Sequence, residues 1–169
     1  MKMMVINFLT LAGLLLLSPS CKKSQPNSFE SSVSATVNGQ AWHNSSCTSC
    51  IGGFTGIVLS YESNTVVLTA EMKTSSNDTF MDLVIKQVSG PGQYIISDSN
   101  YADFRTSSGI IIINYKTDVS HTGIVNITRF DTVNHIISGT FQFDGANQAN
   151  SADVTHVTSG SFAVSYPLP

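Results

Sequence analysis

Apolar residues recur at every second position through most of the chain beyond its first 32 residues. Val66, Leu68, Ala70 and Met72 show this spacing. A period of two places alternate side chains on one face of a β-strand, whereas a helix requires apolar residues at i, i+3 and i+4. Outside the first twenty residues no sustained helical pattern occurs. The alternation therefore predicts a single all-β domain over residues 33–169.

Turn signals divide this pattern into short segments. Asn38-Gly39 is the pair that type I′ hairpins favour, and a second hairpin is predicted about Glu62-Ser63-Asn64. Ser89-Gly90-Pro91-Gly92 marks another turn. About ten short strands joined mostly by tight turns predict an antiparallel β-sandwich, with a calycin-like closed barrel as the alternative.

One segment is apolar without alternation. Residues Ile110 to Ile113 are consecutive isoleucines, followed by Asn114-Tyr115. An unbroken apolar run is typical of a strand that is covered on both faces, and the same run left exposed would promote aggregation. We therefore expect it to form the central strand of the sheet.

The first twenty residues have the pattern of a helical signal peptide. Lys2 precedes an apolar run from Val5 to Leu17, and small residues and Pro19 follow. As a helix, this run would rise about 20 Å, less than the roughly 30 Å of a bilayer core. The segment is therefore interpreted as a cleaved signal and not as a permanent membrane span.

Cys21 follows the small residues of this signal, a placement that resembles the lipobox of bacterial lipoproteins. Ser18 stands where the usual pattern has leucine, and such looser boxes are typical of lipoproteins from the Bacteroidetes. The resemblance implies cleavage before Cys21, lipidation of its sulfur and a stable membrane anchor. Residues 21–32 would then be the lipidated cysteine and a polar tether. The alternative is ordinary signal cleavage that leaves Cys21 a free thiol.

The resemblance also implies an outer-membrane location in the cell envelope. The resemblance implies that lipoproteins displayed on the cell surface carry acidic residues directly after the cysteine. Lys22-Lys23-Ser24 has none. We therefore expect the domain to face the periplasm, with surface exposure as the alternative.

Two further cysteines, Cys47 and Cys50, form a CxxC. If Cys21 is lipidated, these two cysteines remain, and an even number in an oxidising compartment predicts a structural disulfide. Free thiols, redox chemistry and zinc binding are the alternatives. The glycines that follow make a poor helix start for a redox cysteine, and the sequence has no second pair of zinc ligands at similar spacing.

Charge excludes one class of partner. Charged residues are 11% of the chain and the net charge is -3, with no basic cluster. Binding to nucleic acid requires a stripe of Lys and Arg that displaces phosphate counterions. No nucleic acid partner and no cofactor are therefore expected.

Four segments recur in one order in a family that we recognise. They are Ser34 to Trp42, Gly123 to Thr128, Ile137 to Phe143 and Val157 to Phe162. Together they resemble a family of Bacteroidetes lipoproteins with a domain of unknown function, over roughly residues 31–166. The resemblance implies an exported β-rich domain and supplies no catalytic residues.

Two loops carry oxygen ligands of the kind that calcium prefers. The residues are Asp98, Asn100 and Asp103 in one loop, and Asp144, Asn147, Asn150 and Asp153 in the other. Neither loop matches an EF-hand, and solvated turns are the preferred interpretation. Paired carboxylates for glycoside chemistry are the other possibility, provided that Glu62, Glu71, Asp82 and Asp103 meet in space.

Asp131-Thr132-Val133 resembles the sequence at which Bacteroidetes O-glycosylate exported proteins. The three residues lie on a predicted hairpin tip, where a glycosyltransferase has access. Thr132 is therefore a candidate for O-glycosylation.

Three functions follow, in order of preference. The first is a non-enzymatic binding or interaction module at the outer membrane, with an envelope protein or glycan as its partner. The second is a barrel that carries a small apolar ligand, and the third is a hydrolase that acts on envelope glycans. A barrel requires an enclosed apolar cavity, and an enzyme requires a cleft where polar groups with shifted pKa values converge.

Overall fold

The computed structural model describes residues 29–45 and 56–166, which form eleven β-strands and no helix. Within these ranges no helix is long and apolar enough to cross a membrane. The predicted signal peptide, Cys21, Cys47 and Cys50 lie outside the described residues. The prediction of an all-β fold is confirmed.

Every strand pairing is antiparallel. The strands are β1 (Ser32–Val37), β2 (Gln40–His43), β3 (Ile57–Glu62), β4 (Thr65–Lys73), β5 (Asp78–Ile85), β6 (Gly92–Ile96), β7 (Tyr101–Ser108), β8 (Ile111–Lys116), β9 (Gly123–Asp131), β10 (Ile136–Asn147) and β11 (Asn150–Ser165). The order of the sheet is β2-β1-β11-β10-β8-β7-β5-β4-β3, and β9 also pairs with β10 and carries β6.

Two layers arise because one edge of β10 has two neighbours. Its first part, from Ile136 to Phe143, pairs with β9, and only Ala146 and Asn147 pair with β8. The sheet therefore divides at β10. We call β2-β1-β11-β10-β9-β6 the first layer and β3-β4-β5-β7-β8 the second layer.

The two layers face one another across a common core. Residues on both are almost fully buried and form one cluster, among them Leu68, Met81, Leu83, Ile127 and Ile137. Burying one such side chain contributes about 1.5–3 kcal/mol. Trp42 is 3% exposed, and its indole Nε1 donates a hydrogen bond to Thr79 Oγ1 at 2.8 Å, which joins the layers.

The fold is an open, sandwich-like one, as the first of the two sequence alternatives predicts. β2 and β3 stand at the two ends of the strand order and do not pair with each other in the described part of the chain. A closed barrel requires that pairing. The calycin-like barrel alternative is therefore wrong.

Both predicted hairpin turns have the backbone that their sequences favour. Asn38 and Gly39 have φ of 49° and 80°, and Ser63 and Asn64 have φ of 49° and 59°. Two consecutive positive φ values define a type I′ turn, whose twist matches that of the flanking strands.

The isoleucine run does not form a buried central strand. Ile110 is 100% exposed, and Ile111 and Ile112 are 63% and 68% exposed. The run forms the tip of the β7–β8 hairpin, and β10 reaches β8 only at Tyr115 and Lys116, beyond the isoleucines. Among the described strands, the tip therefore pairs only with β7, and its faces are left open.

Candidate functional site

The first layer contains one short sequence pattern twice. β10 contains Ser138-Gly139-Thr140-Phe141 and β11 contains Ser159-Gly160-Ser161-Phe162. The two copies pair with each other in antiparallel register, so that each glycine lies opposite the phenylalanine of the other copy.

The glycines give the phenylalanine rings room to lie against the sheet. A Cβ on Gly139 would come within 2.8 Å of Phe162 Cζ, and one on Gly160 within 2.6 Å of Phe141 Cδ2. Cβ atoms do not approach ring carbons so closely. Both rings are buried beneath the strands, and the residue between glycine and phenylalanine points outward in each copy. These outward residues are Thr140 and Ser161.

A β-bulge lies next to this paired pattern. Gln142 of β10 stands opposite two residues of β11, Thr158 and Ser159. Ser159 has φ of 51°, a conformation that costs energy in a residue with a side chain. Bulges bend a strand and increase its twist, and they often occur next to binding sites.

An open trough runs along the outer face of the first layer at this place. One part has a volume of about 440 Å³ and is lined by Gln93, Ile124, Asn126, Thr140, Phe141, Gln142, Ser159, Gly160 and Ser161. The adjoining part, of about 280 Å³, is lined by Thr122, Gly123, Ile124, Gln142, Phe143, Asp144, Val157 and Thr158. Because both parts include Ile124 and Gln142, they form one trough that follows β9 and β10.

The amide side chains of the trough have unused hydrogen-bonding capacity. Gln93, Asn126 and Gln142 make no side-chain hydrogen bond to the described part of the protein. Each amide has two N–H donors and an acceptor oxygen. Asp144, at the far end, is the one charged residue of the lining, and its Oδ1 lies 2.7 Å from His156 Nδ1.

The outer face of the second layer has a different character. Asp82 of β5 and Asp103 of β7 stand directly opposite each other, 9% and 8% exposed. Arg105 Nη2 lies 2.5 Å from Asp82 Oδ2, and its Nε lies 3.3 Å from Asp103 Oδ1. We call these three residues the acid-pair cluster.

Hydrogen bonding in the acid-pair cluster is incomplete. The Oδ1 atoms of Asp82 and Asp103 are buried without a hydrogen-bond partner, as is Arg105 Nε. The Nε–Oδ1 contact is therefore an ion pair without hydrogen-bond alignment. Burial, and then the charge of Asp82, raise the pKa of Asp103 to about 6. One proton shared by the two carboxyl groups would relieve the repulsion between their charges.

Aromatic and basic side chains flank the cluster. The Arg105 guanidinium lies 5.0 Å from the ring centroid of Phe80, and Lys116 Nζ lies 4.0 Å from that of Tyr101. Because Asp82 and Asp103 are only 9% and 8% exposed, little of either carboxyl group is open to a substrate. Of the four acids considered for glycoside chemistry, Asp82 and Asp103 are thus brought together. Glu62 lies at an exposed end of β3, and Glu71 pairs with Lys73 at 3.2 Å.

The first predicted ligand loop uses its oxygens within the fold. Asn100 Oδ1 accepts a hydrogen bond from the Lys86 N–H at 2.9 Å, and Asn100 Nδ2 donates to the Ile95 carbonyl at 3.1 Å. Asp103 lies on β7 in the acid-pair cluster, while Asp98 lies in the turn before β7.

The second predicted ligand loop also bonds to itself. Asp153 Oδ2 accepts from Asn147 Nδ2 at 2.9 Å and from the Tyr115 hydroxyl at 3.1 Å. Asn150 Oδ1 accepts the Ala152 N–H at 3.3 Å. Among the described residues, no three His, Cys, Asp or Glu side chains form a group that could hold a metal ion.

Thr132 is exposed in the β9–β10 turn, so the candidate glycosylation site is accessible. The adjacent Asp131 carboxylate accepts hydrogen bonds from Asn134 Nδ2 at 2.8 Å and from the Asn134 N–H at 2.9 Å. These bonds, followed by one from Arg129, hold the pKa of Asp131 below its usual value. The glycosylation itself stays a prediction.

Sequence reasoning missed the trough. The signal that was present is the repeated Ser-Gly-x-Phe pattern of β10 and β11, because it places small outward residues next to glycines on two strands that can pair. Gln93 of β6 and Asn126 of β9 gave no such signal, because an outward polar residue is ordinary in a strand with one exposed face.

A protein-family model described as a domain of unknown function (DUF6252) matches residues 30–164. No curated protein and no solved structure matches the chain. The matched residues include every strand except the last residue of β11 and therefore the whole trough and the acid-pair cluster.

Proposed function

The chain belongs to the DUF6252 family, and from this membership, the leader sequence and the trough we propose that it is a lipid-anchored, non-enzymatic binding module of the bacterial cell envelope. One observation carries the binding function: three amide side chains that have no hydrogen-bond partner among the described residues line an open trough of about 440 Å³. Polar groups left unused at the mouth of a concavity are suited to orient a ligand.

The anchor and the location rest on the leader. An apolar run too short to span a bilayer precedes Cys21, and the polar residues 22–32 follow. Fully extended, such a tether spans roughly 35 Å, which lets the domain reach envelope material at a distance from the lipid. We place the protein in the outer membrane of a member of the Bacteroidetes, on its periplasmic side.

The two other functions have less support. A carrier of small apolar ligands requires an enclosed cavity, whereas the inward side chains of both layers pack into one cluster. A hydrolase requires carboxyl groups that a substrate can reach. Asp82 and Asp103 converge, but Arg105 pairs with both and the two residues are only 9% and 8% exposed.

Sedimentation with envelope fragments tests the binding function. The full chain is purified in mild detergent and mixed with washed envelope from which lipid has been extracted. Ser161→Arg places a long charged side chain in the trough. The matched control is Ser60→Arg, at an exposed position of β3 in the second layer.

We expect the wild type and Ser60→Arg to sediment with the envelope and Ser161→Arg to stay in solution. Equal sedimentation of all three proteins, or of none, would reject the trough as the binding site. Circular dichroism verifies that both variants fold.

The anchor is tested separately by intact mass. Protein extracted from the membranes of its native host should begin at Cys21 and carry diacylglycerol and a further acyl chain. Cys21→Ala should move the protein out of the membrane fraction. A mass that includes the leader and no lipid would contradict the anchor and leave the binding experiment unaffected.

A further inference from the structure

We propose that the ligand of the trough is a short segment of neutral glycan that lies along β9 and β10. This inference rests on the proposed function, because it takes the trough as the binding site. Four features of the lining point to this class of ligand.

The first feature is the kind of polar group. Gln93, Asn126 and Gln142 contribute amides, and Thr140 and Ser159 contribute hydroxyls that make no hydrogen bond within the described residues. Amides and hydroxyls both donate and accept, and so do the hydroxyl groups of a sugar. A lining of this composition can satisfy many sugar hydroxyls without adding charge.

The second feature is an apolar strip between the amides. Ile124 of β9 lines both parts of the trough, and Ile95 of β6 stands opposite it in register and is 67% exposed. A pyranose ring has an apolar face of C–H groups beside its hydroxyls. The isoleucines can pack against that face while the amides contact the hydroxyls at its rim.

The third feature is the charge. The lining residues that the structure describes include no Lys and no Arg, and their carboxylate, Asp144, is paired with His156 at the far end. An anionic polysaccharide, a phosphate group or an acidic peptide would have no cation to pair with. The ligand is therefore neutral.

The fourth feature excludes an added peptide strand. β9 pairs with β6 on one side and β10 on the other, and β10 pairs with β9 and β11 along the trough. Among the described residues, β9 and β10 therefore have no free backbone edge along the trough, so a peptide that lies along these two strands cannot bind by extending the sheet. From Thr140 to Asp144 the trough runs about 13 Å at the rise of an antiparallel strand, which suits two or three sugar rings.

Affinity electrophoresis of the full chain in detergent tests the ligand class. The gels contain soluble neutral polysaccharides (a glucan, a mannan, a xylan or a galactan) or a polymer of uronic acid. Asn126→Ala and Gln142→Ala each remove one trough amide. Gln40→Ala is the matched control, since Gln40 is exposed on β2 outside the trough.

We expect retardation by at least one neutral polysaccharide and none by the uronic acid polymer. Each trough variant should weaken binding roughly five-fold, the usual effect of losing one neutral hydrogen bond. Gln40→Ala should bind like the wild type. Raising the salt concentration should change the affinity less than about two-fold, because no ion pair forms.

Two results would overturn the ligand class, and they differ in what they leave standing. In the first, Ser161→Arg abolishes sedimentation with envelope, but periodate oxidation of the glycans does not. This result would reject a glycan and keep the trough as a binding site for a protein. Retardation by a neutral glycan that both amide variants retain in full would reject the trough itself, and the proposed function with it.

Discussion

The polar side chains on the two outer faces of this sandwich differ in their burial and in their hydrogen bonding. On the first layer, the amides of Gln93, Asn126 and Gln142 face an open trough and bond to nothing in the described protein. On the second layer, Asp82 and Asp103 are buried and pair with Arg105.

The difference separates a binding surface from a structural one. An exposed amide is hydrated in the absence of a ligand, so its removal costs the fold little. A buried charged group has lost its water, so its partner is required for stability. We therefore expect substitutions in the trough to change binding, and substitutions in the acid-pair cluster to change stability.

The largest effect on stability is expected at Gly160 on the floor of the trough, because this part of the binding face is closely packed. In Gly160→Val the new Cβ would lie 2.6 Å from both the Phe141 ring and the Phe141 carbonyl oxygen. Overpacking against backbone should lower the free energy of unfolding by about 3 kcal/mol. Ser161→Val, one residue along and outward, should change it by less than about 0.5 kcal/mol. Urea unfolding measures both, and equal values would show that the floor is not packed as described.

Arg105→Met tests the second layer directly. Methionine keeps apolar contact with Phe80 but leaves two carboxyl groups without their cation. Because the Arg105 side chain is 38% exposed, we expect a loss of about 2 to 3 kcal/mol at neutral pH, below the full effect of breaking a buried pair. Asn126→Ala in the trough should cost less than about 0.5 kcal/mol. If the two variants are equally stable in denaturant, the contrast between the faces fails.

The acid-pair cluster should also make stability depend on pH. Asp103 titrates at 3.8 in the unfolded chain, and burial, followed by the charge of Asp82, raises its folded pKa to about 6. Between these values the folded state holds a proton that the unfolded state has released. The free energy of unfolding should therefore fall by about 2 kcal/mol as the pH rises from about 4 to about 6.

Asp103→Asn isolates this pH dependence, because it removes the titrating group and keeps its shape. The difference in stability between variant and wild type, measured by urea unfolding at several pH values, should grow through the same window. Asp118 and Asp131 have lowered pKa values and act oppositely, since their contribution is lost as the pH falls below 3.8. A flat difference between the two proteins from pH 4 to 7 would rule out a shared proton.

The fold was largely predictable because alternation and turn chemistry act locally. The burial of Val66, Leu68 and Ala70 follows from their spacing, and the type I′ turn at Asn38 follows from its side chain and the glycine beside it. These features depend on residues within one hairpin, which a single sequence displays directly.

The trough and the acid-pair cluster depend on register between strands far apart in sequence. Asp82 stands between Met81 and Leu83, which lie in the core, so the alternation of the strand turns its side chain outward. Its burial and ion pair could not be predicted, because they depend on the pairing of β5 with β7, which brings Asp103 and Arg105 beside it. Likewise, Gln93 and Asn126 become neighbours only when β6 pairs with β9.

The smallest effect is expected at the isoleucine tip, where the local pattern misled. If this run were a central strand, Ile112→Thr would place a hydroxyl in the core and cost about 2 kcal/mol or more. Ile112 is instead 68% exposed at the end of the second layer, and threonine keeps the β-branch that suits a strand. We therefore expect a change below about 0.5 kcal/mol in urea unfolding.

Ile127→Thr, at a position 1% exposed in β9, is the control that should lose about 2 to 3 kcal/mol. Similar losses in the two variants would mean that the tip is covered, and that the apolar end of the second layer belongs to its core.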